Sequence, residues 1–431
     1  MTPRPDILPA KQWAFPLPEV TGFDNGMTLW TYDLPGQLIL SCGLVLELPL
    51  NAEPVGHDGV ATIAVRTLDE GTVCHPGSEF SAALEEAGAQ FSGLVGLSTT
   101  QCLLDLPYDS LDPALALFAE AVTTPAYDEQ DVARIMANRL AEIEQQESRG
   151  SFQASAALRK TILSGTCRAA RPAGGTWQTV SGLTPADVSA FHHAHYRAEG
   201  ATLIIAGDLR EVDALGAAQR AFGGWHPTGV PTVPEVACAG TPSHQLIHRD
   251  GAVQADIRIG WFGIDRKDPR WAGLQVALAI MGGMFTSRLN TRLREERGYT
   301  YGVSMTSHPY RSAGFIDVAT STRSATAPDL VAQALELLEA GEPFTDDEVA
   351  SAIGYLTLSA PLTFDTAETV ASQAASLAAA RLDLDHVTRS LADIRRVSAD
   401  AAMEAYRSLI DPRTASIVVV GDTEQIGDMG W

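Results

Sequence analysis

The octapeptides ATLIIAGD (residues 201–208) and ASIVVVGD (residues 415–422) share one pattern, a short apolar, β-branched run that stops at Gly-Asp. Runs of this kind, bounded by turn residues, are typical of strands. A Thr or Ser followed by a helix-length stretch precedes each run, which predicts an N-capped helix. The two copies lie 214 residues apart, whether the distance is taken from Gly207 to Gly421 or from Leu183 to Val397. The sequence therefore predicts two homologous halves.

The beginnings of the two halves also agree, because each has two strand-like runs before a helical run. These occupy residues 27–50 and 59–67 in the first half, and residues 245–262 and 271–281 in the second. We expect the two strands of each half to form a hairpin. Residues 229–242 are rich in Pro, Gly and Val, which predicts a linker between domains of residues 1–228 and 243–431. The expected fold class is α+β, each domain having one largely antiparallel sheet packed with helices.

Composition excludes several classes of function. Of the 431 residues, 45% are hydrophobic and 19% charged, as in folded globular proteins. A net charge of −23 repels phosphate backbones and anionic lipids, so we expect no nucleic-acid or membrane partner. The sequence shows neither a secretory signal pattern nor an apolar stretch of membrane-spanning length, so we expect a cytoplasmic protein. Its five cysteines contain no CxxC, which favours buried, reduced thiols.

Common catalytic motifs are absent from the sequence, among them GxSxG, GxGxxG, HExxH and HxxEH. Histidines cluster at His192, His193 and His195, near the end of a predicted helix. One interpretation is a zinc site, although adjacent histidines point to different faces. The other is a cationic helix C-terminus that complements the helix dipole. His244 and His248 lie four residues apart at a predicted strand entry, where this spacing does not converge on a metal.

The most informative stretch is MGGMFTSRLNTRLREERGYTYGV (residues 281–303). It predicts a glycine turn, a helix with an arginine-rich last turn, and a stop at Gly298. We expect a strand to follow, with Tyr299, Tyr301 and Val303 on one face. Without further information the stretch is also compatible with an ordinary helix and amphipathic strand that have no catalytic role.

This stretch resembles the second-domain signature of the M16 zinc peptidases, the family of pitrilysin and the mitochondrial processing peptidase, commonly GG(G)xxSRLxxxLRExRGxxYxV. The resemblance implies that Arg294 and Tyr301 meet the substrate backbone or the developing oxyanion. A fixed guanidinium and a phenol hydroxyl are suitable donors for a carbonyl that gains charge. Arg292 and Tyr299 have the same spacing and form the fallback register.

The resemblance covers nearly the whole chain and implies the family's clamshell of two repeated domains, but the first domain departs from the active pattern. Members that cleave carry G-[LV]-A-H-x-x-E-H followed by G-T, and here GVATIAVR (residues 59–66) and Gly71-Thr72 occupy that frame. Thr62 and Arg66 replace the two zinc histidines, and Val65 replaces the glutamate that activates water. A guanidinium cannot ligate zinc and valine cannot accept a proton, so we expect no metal and no catalytic residue in this chain.

Glu142 stands near the place of the family's third zinc ligand. One glutamate is insufficient for a metal site, and we expect a solvated helix residue or an ion-pair partner of Arg66. The family's heterodimers divide the zinc motif and the arginine–tyrosine pair between two chains. The resemblance therefore implies a subunit that is inactive alone and that serves a homologous HxxEH-containing partner, which holds the zinc.

We expect peptide substrates to add as a strand to a sheet edge, for which the segment from Phe91 to Leu97 is the candidate. A second hypothesis is a structural or assembly protein that resembles the core subunits of respiratory complexes. A third, a stand-alone hydrolase, has no supporting motif.

Overall fold

The computed structural model describes residues 13–225 and 233–431, so the predicted boundary at residue 228 and residues 229–232 of the predicted linker lie outside the described residues. Within the described part, the first sheet has the order β1-β2-β6-β3-β5-β4 and the second the order β7-β11-β8-β10-β9. The strands of the first sheet are β1 (Glu19–Gly22), β2 (Thr28–Asp33), β3 (Ile39–Leu46), β4 (Gln90–Val95), β5 (Thr100–Pro107) and β6 (Thr202–Gly207). Those of the second are β7 (His244–His248), β8 (Gln254–Gly263), β9 (Val303–Pro309), β10 (Gly314–Arg323) and β11 (Ser416–Gly421).

The repeated octapeptides form equivalent strands, β6 and β11. Each pairs in parallel with the first strand of its repeat, β2 or β7, and antiparallel with the next, β3 or β8. The other described strand pairs are antiparallel. The expected α+β class, with two largely antiparallel sheets, is confirmed.

The expected hairpins are wrong, because β6 lies between β2 and β3 and β11 lies between β7 and β8. The physical reason lies in the apolar character of the inserted strands. Both β6 and β11 are buried along nearly their whole length, and strands buried on both faces belong inside a sheet.

The described part of the first half contains eight α-helices. They are α1 (Val60–Arg66), α2 (Ser78–Glu86), α3 (Leu111–Thr123), α4 (Glu129–Glu147), α5 (Gly150–Ile162), α6 (Trp177–Ser181), α7 (Pro185–His195) and α8 (Ala214–Phe222). Those of the second half are α9 (Trp271–Leu278), α10 (Arg288–Asn290), α11 (Ala327–Leu338), α12 (Asp346–Leu358), α13 (Ala360–Thr363), α14 (Ala367–Ala380), α15 (His386–Ile394), α16 (Ala399–Leu409) and α17 (Thr423–Ile426). The expected caps are present, since the Thr184 side chain accepts from the backbone of α7 and that of Ser398 from α16.

The two halves exchange one helix each. Helix α14 of the second half packs on β3 and β6, where its alanines meet Val45 and Ile204. Helix α5 of the first half packs on β8 and β11, where Leu158 and Ile162 share a core with Val418. Each sheet thus has one face against its own helices and the other against a helix from the other half.

An ion pair reinforces this exchange. Arg311, in the β9–β10 turn, donates to both carboxylate oxygens of Glu47, at 2.8 and 3.0 Å. The same guanidinium donates to the Ala379 carbonyl of α14 at 2.7 Å. Because one side chain binds the first sheet and the exchanged helix together, it fixes the position of each half against the other.

Candidate functional site

The stretch from residue 281 to 303 forms a turn between two helical segments that end in π-helical windings. Helix α9 continues as a π-helix over Ala279–Gly283, and α10 continues as another over Thr291–Glu296. Gly298 then stops the helix with φ +63°, a value that glycine adopts without strain. Strand β9 begins only at Val303, so the expectation that Tyr299 and Tyr301 belong to this strand is wrong.

Asn290 explains where the strand begins. Its side-chain amide donates to the Val303 carbonyl at 2.9 Å, and its amide oxygen accepts from the Val303 N–H at 2.9 Å. These two bonds occupy the backbone of Val303 from the helix side. The residues between Gly298 and Val303 therefore connect the helix to the sheet without forming strand hydrogen bonds. Their side chains do not alternate between the two faces of the sheet.

Arg294 lies on the π-helical segment before this crossing region, and its neighbours hold its side chain in place. Its guanidinium carbon lies 3.5 Å from the centre of the Phe285 ring, and Nη2 donates to the Glu295 carboxylate at 2.7 Å. The Arg294 side chain is 17% exposed, whereas Phe285 is 72% and Tyr301 95% exposed. Among the described residues no hydrogen bond joins Arg294 to Tyr301. Phe285 and Arg294 thus form a stacked pair, and the Tyr301 ring is also exposed.

The fallback pair has different surroundings. Arg292 pairs with Glu296 on the same helical segment at 3.0 Å. The Tyr299 hydroxyl accepts from the Gln333 side chain at 3.2 Å, and its ring packs against the core of the second half. Both side chains are engaged by the protein itself, in contrast to the exposed Tyr301.

In the first half, the positions that the family resemblance aligns with the zinc motif lie on helix α1. Thr62 is buried and donates to the Ala173 carbonyl at 3.3 Å. Val65 is 1% exposed and faces β4, where a Cβ at Gly93 would lie only 2.5 Å from the Val65 side chain. Glycine at position 93 therefore lets the edge strand approach the helix closely.

Arg66 and Glu142 meet across the interface between α1 and α4. Nη1 of Arg66 donates to both carboxylate oxygens, at 2.9 and 2.8 Å. Arg139, whose side chain is 6% exposed, donates to the same carboxylate at 3.0 Å. Partial burial raises the pKa of Glu142, but the hydrogen bonds from the two arginines outweigh it, and the pKa lies below its ordinary value.

This donor set does not fit a zinc ion. A hydroxyl, an isopropyl group and a guanidinium occupy the three motif positions, and two arginines already engage the remaining carboxylate. Across residues 13–225 and 233–431, no group of three or more His, Cys, Asp and Glu side chains is arranged to hold a metal.

A buried ion-pair network supports α1. Glu53 accepts from the N–H groups of Gly59 and Ala61 at 2.9 and 3.1 Å, which satisfies the first turn of the helix. Its other oxygen accepts from Arg168 Nε at 2.7 Å. No sequence motif identifies four residues of these surroundings: Glu53, Arg168, Arg139 and Phe285. Their contacts depend on partners that are remote in sequence or, for Phe285, on the turn that brings it to Arg294.

Within the histidine cluster, His192 has neither of the predicted roles. His192 is 3% exposed and bonds the Val122 carbonyl at 2.9 Å through Nε2. Burial lowers its pKa to about 4, so it is neutral near pH 7 and cannot serve as a cationic helix end, which corrects that prediction. Burial also lowers the pKa of His195. His248 bonds the Thr423 hydroxyl at 2.9 Å, and the His244 ring lies 5.0 Å from that of Trp431.

Three further observations bear on the sequence predictions. All five cysteines are free, and Cys42, Cys102 and Cys167 are buried, whereas Cys74 and Cys238 are exposed, which corrects the prediction for those two. The segment from Phe91 to Leu97 contains residues 91–95 of β4, the last strand of its sheet, whose outer edge is unpaired within the described part of the chain. No helix among the described residues has the length and apolar character needed to cross a bilayer.

Two sheets of matching topology place the chain among proteins built from a tandem α+β repeat. Residues 182–356 match the family model described as Peptidase M16 inactive domain. The resemblance drawn from the sequence is thereby confirmed for this part of the chain.

Relatives and solved structures are similar to a larger part of the chain. A protein of Rickettsia bellii described as an uncharacterized zinc protease is 23% identical over 304 residues, which cover 70% of this chain and 73% of the relative. The peptidase M16 inactive domain from Pseudomonas fluorescens has a similar structure, with TM-score 0.86 at 24% identity, covering 94% of this chain and 98% of that one. A chain of complex III2 from Candida albicans gives TM-score 0.80 at 17% identity, covering 95% and 97%. At these identities the structural likeness establishes the fold.

Proposed function

We propose that this chain is the metal-free subunit of a two-chain M16 zinc peptidase, and that it supplies Arg294 and Tyr301 to peptides cleaved at the zinc of a homologous HxxEH-containing partner. The proposal includes a cytoplasmic location and the division into domains of residues 1–228 and 243–431. In this arrangement Arg294 and Tyr301 bind the substrate backbone and stabilise the oxyanion of the transition state.

One contrast carries the proposal. At the zinc-motif position the Arg66 guanidinium pairs with Glu142, so the first half lacks the groups that would bind and activate water. In the second half, the Tyr301 phenol is exposed and the Arg294 guanidinium stacks on an exposed ring. The Tyr301 hydroxyl is therefore available to a bound peptide.

The test uses the reconstituted pair of this chain with an HxxEH-containing M16 chain. We expect Arg294→Gln and Tyr301→Phe each to lower kcat for peptide hydrolysis, by about 10²-fold for loss of an oxyanion donor. Arg292→Gln and Tyr299→Phe are matched controls, because they remove the same chemical groups two residues away. Unchanged turnover in the first two variants, or an equal loss in the controls, would contradict the assignment.

A second candidate function is that of a non-catalytic core protein, which the likeness to a complex III chain favours. It predicts that the pair, if formed, has the same turnover with and without Arg294 and Tyr301. It further predicts that the chain is recovered in a stable assembly whose formation survives both substitutions.

A further inference from the structure

The three residues at the zinc-motif positions, Thr62, Val65 and Arg66, line a small cavity. Its volume is about 220 Å3. It lies between α1, α4 and the edge strand β4, and its lining comprises Thr62, Val65, Arg66, Gly93, Leu94, Val95, Arg139 and Gly174. The cavity therefore joins a buried cationic group to a sheet edge that is open in the described structure.

Arg66 has unused hydrogen-bonding capacity at this cavity. Nη1 makes both contacts with Glu142, whereas Nε and Nη2 donate to no described residue. The side chain is 39% exposed. The Nε–Nη2 edge of a guanidinium is a planar fork that matches two carboxylate oxygens. Glu142 thus anchors the side chain and leaves that fork available to a ligand.

The local charge favours an anion. Arg66 and Arg139 face a single carboxylate, that of Glu142, which leaves one net positive charge at the cavity. The whole chain carries −23, so this excess is local to the cavity. An anion bound there gains Coulomb attraction in a partly desolvated setting.

The adjacent strand β4 indicates how a peptide would place a carboxylate at the cavity. The outer edge of β4 carries backbone donors and acceptors that a further strand can satisfy. Gly93 has no side chain to separate that edge from α1. A peptide paired along β4 therefore lies beside the cavity, and its end can enter it.

We propose that this cavity binds the terminal carboxylate of a peptide that pairs with β4. The inference rests on the proposed function and deepens it, because it names peptides with a free C-terminus as the class that this chain captures. Arg66 then replaces the metal ion of active relatives with a fixed cation that recognises a peptide end rather than an internal bond.

The experiment measures binding to the full chain alone, by anisotropy of a fluorescein-labelled peptide of alternating valine and serine. The probe has three forms: a free C-terminal acid, the C-terminal amide, and the amide with one internal glutamate. We expect the acid to bind about 10- to 100-fold more tightly than either amide, as for a charge-assisted hydrogen bond. We expect Arg66→Gln to abolish that difference.

Arg134→Gln is the matched control, since Arg134 lies on α4, pairs with Glu70 and Asp131, and does not line the cavity. We expect it to retain the preference for the acid. The proposal would be overturned if the natural chain bound the acid and the amide with equal affinity. It would also be overturned if the preference for the acid persisted in Arg66→Gln. Tight binding of the internal-glutamate peptide would overturn the assignment to the chain terminus. Turnover by the pair is not measured here, so this result and the test of Arg294 can fail separately.

Discussion

Replacing Glu53 by glutamine tests whether a buried charge pair holds α1 in position. The Glu53 side chain is fully buried and that of Arg168 is 4% exposed. Glutamine keeps an oxygen for the Gly59 and Ala61 N–H groups, so the substitution removes the charge and leaves the helix cap in place. The change therefore removes the charge of the carboxylate together with the hydrogen bond that it accepts from Arg168.

The expected loss of stability in Glu53→Gln follows from the desolvation of the buried charges. Burial raises the pKa of Glu53 more than Arg168 and the N–H donors lower it, so the intact pair offsets only part of the cost of burying the carboxylate. A lone buried guanidinium keeps its own desolvation cost, and breaking such a pair costs about 3–5 kcal/mol. Asp58 lies 3.3 Å from Arg168 Nε and retains part of the attraction. We therefore expect Glu53→Gln to lower the free energy of unfolding by about 3 kcal/mol.

Urea unfolding followed by far-UV circular dichroism measures this loss, and hydrogen exchange of the α1 amides shows where it acts. The control is the same substitution in an Arg168→Met background, where no guanidinium is left unpaired. We expect Glu53→Gln to cost less than about 1 kcal/mol there, so that the two substitutions are strongly coupled. A loss below about 1 kcal/mol in the natural background, or equal losses in both, would refute this account.

Three further substitutions probe other parts of the fold. Arg311→Met removes the partly buried contact with Glu47 between the halves, and thermal unfolding should show a loss of about 2 kcal/mol. The lowered pKa of His192 means that the unfolded state takes up a proton first, so stability is complete above pH 6.5 and falls by up to about 3 kcal/mol as the pH approaches 4. Urea titrations at several pH values should show a flatter profile for His192→Phe. Gly282→Ala places a Cβ 2.5 Å from β9 and should lower the melting temperature more than Gly283→Ala, whose nearest contact would be 3.3 Å.

Local patterns in the sequence were sufficient for the elements and for the repeat. The apolar octapeptides, the Thr184 and Ser398 caps and the stop at Gly298 depend on neighbouring residues, and each is present in the structure. These features were predictable because backbone propensity, capping and hydrophobic period act over a few residues.

The arginine–tyrosine stretch was predictable as a motif but not as a site. The sequence suggested alternation of Tyr299 and Tyr301 along a strand, whereas Asn290 occupies the Val303 backbone and delays the strand. The stacking of Arg294 on Phe285 depends on the turn between two π-helical windings. No period in the sequence encodes that turn.

The sequence by itself determined the two homologous halves and the α+β class, because short-range pattern suffices for each. The family resemblance added the expectation that Thr62 and Arg66 replace zinc ligands. Tertiary structure alone decided that β6 and β11 enter the middle of their sheets, that α5 and α14 exchange between halves, and that Arg66 offers a free edge beside β4. The reason is physical: these features arise from burial and charge pairing between segments far apart in the chain, and such contacts have no signature in the spacing of either segment.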